Sequence, residues 1–229
     1  KDNVEDITFE LKKGQTLGII GATGSGKSTI LQLLMRFYDA DSGTIRIHGR
    51  DIRSYDPKDL RKEYGIVMQN DFIFQDSVRE NIAFGRPIDD ELLDEATQIA
   101  QARPFIKSLT DEFDYKLNSK GTNLSGGQRQ RIFLSRAFVN NPKILLLDDS
   151  SSALDYETDA RLRKAINTHF ADTAKVIVAQ RVSSIMHADE ILVLDQGKIV
   201  ARGTHDELMQ TSEIYSSISD SQMGGALLE

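Results

Sequence analysis

The chain has 229 residues, of which 39% are hydrophobic and 28% charged, a composition typical of an ordinary globular domain. Its formal net charge is −7, which argues against a broad surface for nucleic acid. It contains no cysteine, and this excludes disulfides and thiolate metal sites. No run approaches the roughly 20 apolar residues that span a bilayer. We therefore expect a chain that does not cross a membrane by itself, although docking onto a membrane protein stays open.

Apolar patterning predicts two strands at the start of the chain, an alternating one over residues 7–11 and a continuous one over residues 17–20. At the spacing of one helical face, apolar residues then recur at Ile30, Leu33, Leu34 and Phe37. A helix is therefore expected after the second strand. Residues 41–43 favour a turn, and the alternation over residues 44–48 predicts a further strand.

Residues 77–139 are predicted to be mainly helical, with the pattern of a capping box at residues 77–80, Ser-Val-Arg-Glu. One apolar helix face comprises Leu92, Leu93, Ala96, Ile99 and Ala100. Short apolar runs follow at residues 144–147, 176–179 and 191–194. Such runs are typical of buried parallel strands, so the pattern predicts an α/β fold. The last predicted elements of the chain are a turn at Gln196 and Gly197 and a helix that is capped by Thr204.

Residues 21–28, Gly-Ala-Thr-Gly-Ser-Gly-Lys-Ser, have the pattern of a P-loop between a predicted strand and a predicted helix. Glycines let the backbone amides curl around a β-phosphate, Lys27 reaches the β- and γ-phosphate oxygens, and the Ser28 hydroxyl binds magnesium. The alternative is a chance match, whose probability is on the order of 1%. The sequence predicts a nucleoside triphosphate site formed by Thr23, Gly24, Ser25, Gly26, Lys27, Ser28 and Thr29.

An acidic residue is also expected near the magnesium, at the end of a neighbouring buried strand. Asp148 directly follows the apolar run at residues 144–147. Taken alone, this segment is equally well interpreted as a core strand that ends in a polar residue. In combination with the P-loop, it favours a magnesium site.

A second phosphate-binding pattern, Leu-Ser-Gly-Gly-Gln, lies at residues 124–128 at the start of a predicted helix. By itself, Ser-Gly-Gly before a helix is more often a flexible N-cap. In its order and spacing after the P-loop, however, the segment resembles the signature motif of the ATP-binding cassette (ABC) family.

This resemblance covers nearly the whole chain. Gln69 lies where the family has its Q-loop glutamine, and residues 152–155 resemble the D-loop, which ends at Asp155. Taken singly, Gln69 would more often be a surface amide and Asp155 a helix cap. The joint order of the motifs makes coincidence negligible. Residues 72–82 and 203–208 resemble the exporter branch in particular.

For the fold, the resemblance implies a P-loop NTPase (RecA-like) core with an antiparallel β subdomain and an inserted helical subdomain. We expect one nucleotide-binding domain over residues 1–229. Its core lobe would comprise about residues 1–70 and 140–229, and its helical lobe about residues 71–139. A membrane domain is expected N-terminal to this segment.

For function, the resemblance implies an ATPase that uses ATP and Mg²⁺. Its catalytic residues would be Asp149, Gln180, Gln69 and Asp148. Its metal ligands, in part through water, would be Ser28, Gln69 and Asp148. The residues offered to a partner's ATP would be Ser125, Gly126, Gly127 and Gln128. Each nucleotide would lie between one P-loop and the other chain's signature. The implied partners are a second nucleotide-binding domain and a transmembrane domain at the cytoplasmic face of the membrane, and no nucleic acid.

Two residues depart from the pattern of active family members. Asp149 replaces the glutamate general base, and the shorter side chain withdraws the carboxylate by about 1 Å, which can cost on the order of a hundredfold in rate. Gln180 replaces the switch histidine, and an amide can donate a hydrogen bond but cannot carry a proton. Both belong to the site with this chain's own P-loop. We therefore expect low intrinsic activity and the degenerate half of a heterodimeric exporter, with an intact signature for the partner's site.

Other interpretations stay open. One is a slow homodimer, another a nucleotide-dependent clamp with almost no hydrolysis, and a third a soluble ABC protein of translation or DNA repair. Residues 118–121 lack the glutamate that the family has before its signature, which leaves cross-talk with the partner's membrane helices open. The aromatic residue that stacks on adenine in the family would lie before Lys1. The transported substrate does not follow from this sequence.

Overall fold

The computed structural model describes residues 4–225, with side chains up to residue 222. In chain order its elements are β1 (Thr16–Gly21), α1 (Lys27–Leu34), β2 (Arg46–Ile47), β3 (Arg50–Asp51), α2 (Pro57–Lys62), β4 (Tyr64–Val67), α3 (Val78–Ala83), α4 (Asp90–Ile99), α5 (Arg103–Lys107), α6 (Gly126–Phe138), β5 (Ile144–Asp148), α7 (Tyr156–His169), β6 (Ala174–Val178), β7 (Glu190–Asp195), β8 (Lys198–Gly203), α8 (His205–Thr211) and α9 (Glu213–Gly225). Strands alternate with helices and pair mainly in parallel, which confirms the α/β class. Within residues 4–225, no helix is long and apolar enough to cross a membrane.

The chain folds into two compact units. The first is formed by the chain up to Glu63 together with the chain from Ala174 onward, and the second by Tyr64–Thr173. Strands β1, β6, β7 and β8 belong to the first unit, and β4 and β5 to the second. The core and helical lobes that the sequence suggests remain a prediction.

In the first unit, β1 lies between β6 and β7 and pairs in parallel with both. Leu17, Ile19 and Ile20 of β1 are buried, as expected for a central parallel strand. Strand β8, which the sequence did not predict, pairs antiparallel with β7. The chain turns between them at Gln196 and Gly197, whose φ angles are 44° and 80°. The predicted turn is therefore confirmed, since two positive φ angles are typical of a tight hairpin.

Two strand predictions in the first unit need correction. Residues 7–11 form no strand, and they meet β8 through a side chain, with the Arg202 guanidinium donating to the Thr8 carbonyl oxygen at 3.2 Å. The alternation of apolar and polar residues gives a segment one apolar and one polar face. It does not supply a neighbouring strand for the backbone hydrogen bonds. The strand expected over residues 44–48 is only β2, which forms a short antiparallel ladder with β3.

Helix α1 ends earlier than its apolar spacing suggested. Arg36 has a left-handed backbone, with φ of 55°. Its amide donates to the Leu33 carbonyl, and the Phe37 amide donates to the Gln32 carbonyl at 2.9 Å. This pair of bonds closes the helix in a Schellman motif. Phe37 therefore lies beyond the helix and is 56% exposed, contrary to its predicted place on the apolar face.

In the second unit, β4 and β5 pair in parallel, and α6 packs on β4. This packing is close, because a Cβ atom at Gly65 would lie 2.3 Å from the Ala137 carbonyl oxygen. Helices α3 and α4 contact α6 in turn. On the predicted apolar face of α4, Leu92 is exposed, and the buried residues are Leu93, Ala96, Ile99 and Ala100.

Hydroxyl side chains begin three helices, as the sequence predicts, but the capping box expected at residues 77–80 is only half formed, because the Ser77 amide donates to Asp76 Oδ1. Ser77 Oγ accepts from the backbone amide of Glu80 at the start of α3. Ser125 and Thr204 form complete capping boxes at the starts of α6 and α8. Each cap satisfies an amide of the first turn that has no partner within the helix, which fixes where the helix begins.

A buried arginine joins α6 to the chain between β4 and α3. Arg136 is 7% exposed, and its Nε and Nη2 atoms donate to the carbonyl oxygens of Asn81 and Phe72 at 2.8 and 3.1 Å. Its Nη1 atom donates to Asp71 Oδ1 at 3.3 Å. Burial lowers the pKa of Arg136 and raises the pKa of Asp71, because both lose water. The guanidinium nevertheless stays charged at neutral pH.

Aromatic rings cover the faces of this guanidinium. Phe84, Phe133 and Phe74 place their ring centroids 4.7, 5.3 and 5.8 Å from the Arg136 Cζ atom. Ring faces attract a cation, and they attract it more strongly when water is excluded. Arg136 thus fixes the loop from Asp71 to α3 through carbonyls, one carboxylate and three rings.

We predict that Gly65→Ala destabilises the chain by about 1–3 kcal/mol, because the added Cβ presses on a backbone carbonyl that cannot move without shifting α6. Gly126→Ala is the matched control. A Cβ there would lie 3.7 Å from the Ala153 Cβ, an ordinary contact, and its effect should stay within about 0.5 kcal/mol. Urea denaturation measures both, and equal midpoints would contradict the packing argument.

Candidate functional site

In the first unit, two predicted site segments leave the sheet at the same edge. Strands β1 and β6 are parallel, with Ile19 paired to Val178, and the Ala179 amide donates to the Ile19 carbonyl at 3.0 Å. The P-loop begins where β1 ends, and Gln180 follows the end of β6. The carboxyl ends of parallel strands are where ligands bind in α/β sheets. The structure therefore brings the P-loop and Gln180 to one edge.

The P-loop turns directly into α1. Thr23 and Gly24 are exposed, and Ser25 is buried, with its carbonyl accepting from the Gly197 amide at 3.1 Å. Gly26 is the N-cap of α1 and has a φ of 101°, a conformation that L side chains rarely adopt. As a glycine it offers no side chain to cap the helix. The first turn, which contains Lys27, Ser28 and Thr29, thus presents its positive end to the loop.

Lys27 lies across the inside of the P-loop. Its Nζ atom donates to the carbonyl oxygens of Gly21 and Ala22 at 2.7 and 2.8 Å. Ser25 Oγ lies 3.5 Å from the same nitrogen. The loop therefore holds a cation among backbone dipoles at a helix N-terminus, and this combination binds phosphate groups.

In the second unit, Gln69 and Asp148 occupy one sheet edge. Strands β4 and β5 are parallel, with Val67 paired to Leu147. Asp148 is the last residue of β5 and is 4% exposed, whereas Gln69 is exposed two residues beyond β4. Their placement follows from parallel pairing, as for the P-loop and Gln180 in the first unit.

Asp149 leaves β5 with an unusual backbone. Its φ is 50°, in the left-handed region that aspartate and asparagine enter more often than other residues with a side chain. The Ser152 hydroxyl donates to the Asp149 carbonyl at 3.1 Å. The chain thus turns sharply after Asp148, and Asp149 begins the segment that leads to the D-loop.

The signature segment forms the exposed N-terminus of α6. Ser125 Oγ accepts from the Gln128 amide at 3.2 Å, and Gln128 Oε1 accepts from the Ser125 amide at 2.8 Å. Ser125 and Gly126 are exposed, while Gly127 and Gln128 are partly buried. The N-cap interpretation that the sequence allowed is correct, and it leaves a positive helix end at the surface.

The signature packs against the D-loop. A Cβ atom on Gly127 would lie 3.1 Å from the Ala153 carbonyl oxygen. Two residues later, Asp155 is the N-cap of α7, and its carboxylate accepts from the Thr158 amide at 2.9 Å and the Thr158 hydroxyl at 2.8 Å. These bonds lower the pKa of Asp155. A structural role for Asp155 within its own chain is therefore clear.

Sequence reasoning missed the residues that hold the segment beside Gln69. Asp71 Oδ2 accepts from the Met68 amide at 3.1 Å, and Asp71 Oδ1 accepts from Arg136. The signal for Arg136 was its charge, since it is the only charged residue in the stretch 132–138 of α6, which is buried throughout. A charge in such a position requires buried partners.

The predicted magnesium ligands fit that ion by chemistry. Ser28, Gln69 and Asp148 offer oxygen atoms, which Mg²⁺ prefers, and a magnesium site in a nucleotide enzyme uses few protein ligands besides phosphate and water. Within residues 4–225, no group of three or more histidine, cysteine, aspartate and glutamate residues is suited to hold a metal by itself. Ser28 belongs to the first unit, and Gln69 and Asp148 to the second.

Comparison with protein families gives a match to the ABC transporter family over residues 4–152. YgaD of Bacillus subtilis, whose name describes a multidrug export ATP-binding/permease protein, is 40% identical over 222 residues, which are 95% of this chain and 38% of YgaD. A Staphylococcus aureus protein of the same description is 42% identical over 216 residues, which are 94% of this chain and 37% of the relative. The chain thus spans less than two-fifths of these curated relatives.

A solved structure of a bacterial Atm1-family ABC exporter with ATP bound has the same fold. Its TM-score is 0.93 at 36% identity, and the match covers 97% of this chain and 39% of that one. This similarity confirms the predicted class, a P-loop NTPase of mixed α/β type.

We predict that Asp155→Ala lowers the free energy of unfolding, because the Thr158 amide at the start of α7 loses its acceptor. Asp155→Asn keeps a side-chain oxygen at the N-cap and should have a smaller effect. Urea denaturation of the two variants checks this. Equal losses would show that the charge, and not the cap, stabilises this end of α7.

Proposed function

Because the chain belongs to the ABC transporter family, we propose that it is the ATP-binding and hydrolysing motor domain of an exporter. The observation that carries the proposal is the P-loop, where the Lys27 ammonium and the first turn of α1 lie together at the end of β1. A cation beside a helix N-terminus stabilises a bound triphosphate. The exporter assignment follows the relatives, which are named for export.

ATP would bind with magnesium. In this proposal Lys27 pairs with the β- and γ-phosphate oxygens, while Ser28, Asp148 and Gln69 provide oxygen ligands, in part through water. Magnesium supplies charge neutralisation at the phosphates. Lys27 must redirect at least part of its hydrogen bonding from the Gly21 and Ala22 carbonyls toward the phosphates.

The partners would be a second nucleotide-binding domain and a transmembrane domain. The exposed Ser125 and Gly126 at the N-terminus of α6 suit a γ-phosphate that is held by the P-loop of another chain. The names of the relatives describe both an ATP-binding and a permease function. A membrane domain would account for part of the length by which they exceed this chain. Such a domain would place this chain at the cytoplasmic face of the membrane.

We also propose that the site with this chain's own P-loop is the slow half of a heterodimer. Asp149 is shorter than the glutamate of active members, and Gln180 cannot carry a proton. The φ of 50° at Asp149 is one that aspartate adopts more readily than most residues with a side chain. A slow homodimer or a nucleotide clamp would share these residues, and turnover with and without a different partner chain separates the three.

We predict that Lys27→Ala weakens binding of magnesium ATP by about 10- to 100-fold, the worth of a charge-assisted hydrogen bond to a phosphate. Lys58→Ala is the control, since Lys58 is an exposed lysine on α2 of the same unit. Calorimetric titration of the chain with magnesium ATP measures both dissociation constants. Unchanged affinity of the Lys27 variant would overturn the site.

We predict different effects of the signature and of Asp149 on turnover by the heterodimer. Ser125→Ala or Gly126→Asp should greatly reduce ATP hydrolysis, because each disturbs donors to the γ-phosphate in the partner's active site. Asp149→Asn should change it little, since that site already turns over slowly. Ser77→Ala is the matched control, because it removes a comparable N-cap outside the signature.

The measurement is ATPase activity of the reconstituted transporter with each change made singly. If Asp149→Asn stopped turnover while Gly126→Asp left it intact, our assignment of the active and the slow site would be reversed. The heterodimer proposal would then be abandoned.

A further inference from the structure

The last helix of the structure holds the chain on both sides of Arg181. Gln222 lies on α9, and its Oε1 atom accepts from the Val182 amide at 2.8 Å. Its Nε2 atom donates to the Gln180 carbonyl oxygen at 2.7 Å. One side-chain amide therefore satisfies a donor and an acceptor of the segment that directly follows β6, 40 and 42 positions earlier in the sequence.

Helix α9 is a fixed support for this contact. Tyr215 of α9 is fully buried in the same apolar cluster as Ala179 and Val182 of the segment after β6, and Ile218 packs against that cluster. The Tyr215 hydroxyl also lies 2.9 Å from His205 Nδ1 of α8. Because α9 and the segment after β6 share one core, Gln222 cannot shift far relative to Gln180.

We propose that Gln222 is a positioning residue for Gln180 and fixes the backbone from which the Gln180 side chain approaches the γ-phosphate of bound ATP. This inference rests on the proposed function, in which Gln180 occupies the switch position. In this proposal Gln222 acts through the backbone of Gln180 and Val182, to which its side chain is hydrogen-bonded.

The chemistry of the amide explains why glutamine suits this position. The Gln180 carbonyl needs a donor and the Val182 amide needs an acceptor, and a side-chain amide offers both without a charge. Methionine has nearly the same length but can make neither strong hydrogen bond. Glutamate keeps the acceptor for Val182, but its carboxylate has no donor for the Gln180 carbonyl.

A positioning role predicts a difference between two nucleotides. ADP lacks the γ-phosphate, so its affinity should not depend on where Gln180 lies. ATP carries that group, and its affinity should fall when the segment is released. A residue that only stabilises the fold would change both affinities, or neither.

The experiment uses the 229-residue chain and titrates it with magnesium ATP and magnesium ADP in a calorimeter. Gln222→Met should weaken ATP binding about fivefold, the effect of one lost hydrogen bond, and leave ADP binding within about twofold. Ser217→Ala, at an exposed position of the same helix, should change neither. Equal weakening of ATP and ADP, or no weakening of ATP, would overturn the positioning role.

Hydrogen exchange of the Val182 amide tests the contact without nucleotide. Exchange should accelerate in Gln222→Met, whereas Gln222→Glu should keep the amide protected and still weaken ATP binding. Unchanged exchange in the methionine variant would show that Gln222 does not hold this segment. Failure of the unmodified chain to bind ATP, with Val182 exchange still dependent on Gln222, would instead overturn the proposed function and leave only the structural contact.

Discussion

The backbone ladders between parallel strands decide where the chemistry of this protein can occur. In the first unit, the pairing of β1 with β6 brings the P-loop and Gln180 together, although they are more than 150 residues apart in sequence. In the second unit, the pairing of β4 with β5 does the same for Gln69 and Asp148. A slip of one residue in either ladder would turn every side chain to the other face. The apolar, buried strands therefore position polar residues that lie at their carboxyl ends or just beyond them.

A similar dependence holds for the loop between β4 and α3, which contains Gln69 and the aromatic residues after it. Apart from the buried Ile73, its large apolar residues Phe72 and Phe74 remain partly exposed. Arg136 contributes to its stability instead, because the guanidinium donates to two carbonyl oxygens and lies against aromatic rings. Removing only one partner of a buried charge is strongly destabilising. Arg136 of α6 therefore orders this loop together with the side chains of Asp71 and Asn81, which also bind its backbone.

Short-range patterns allowed much of this structure to be predicted. The strands β1, β5, β6 and β7, the hydroxyl caps and the turn at Gln196 and Gly197 all depend on residues within a few positions of one another. The errors occur where the structure depends on residues that are distant in sequence. Residues 7–11, for example, form no strand because they have no backbone ladder with a neighbouring strand. The partners of Arg136 and Gln222 could not be assigned for the same reason, because they lie 40 to 65 positions away. For the predicted site, sequence gave the residue types, while the roles of Asp149 and Gln180 remain proposals.

The distance in sequence between Arg136 and its partners also affects how the chain is made. Asp71, Phe72 and Asn81 precede Arg136 by 65, 64 and 55 residues. At roughly 5–20 residues per second, a ribosome releases them on the order of several seconds before the arginine that organises them. During that interval the phenylalanines near them have no cation to surround. The loop from Asp71 to α3 can therefore complete its contacts with Arg136 only after α6 has been synthesised.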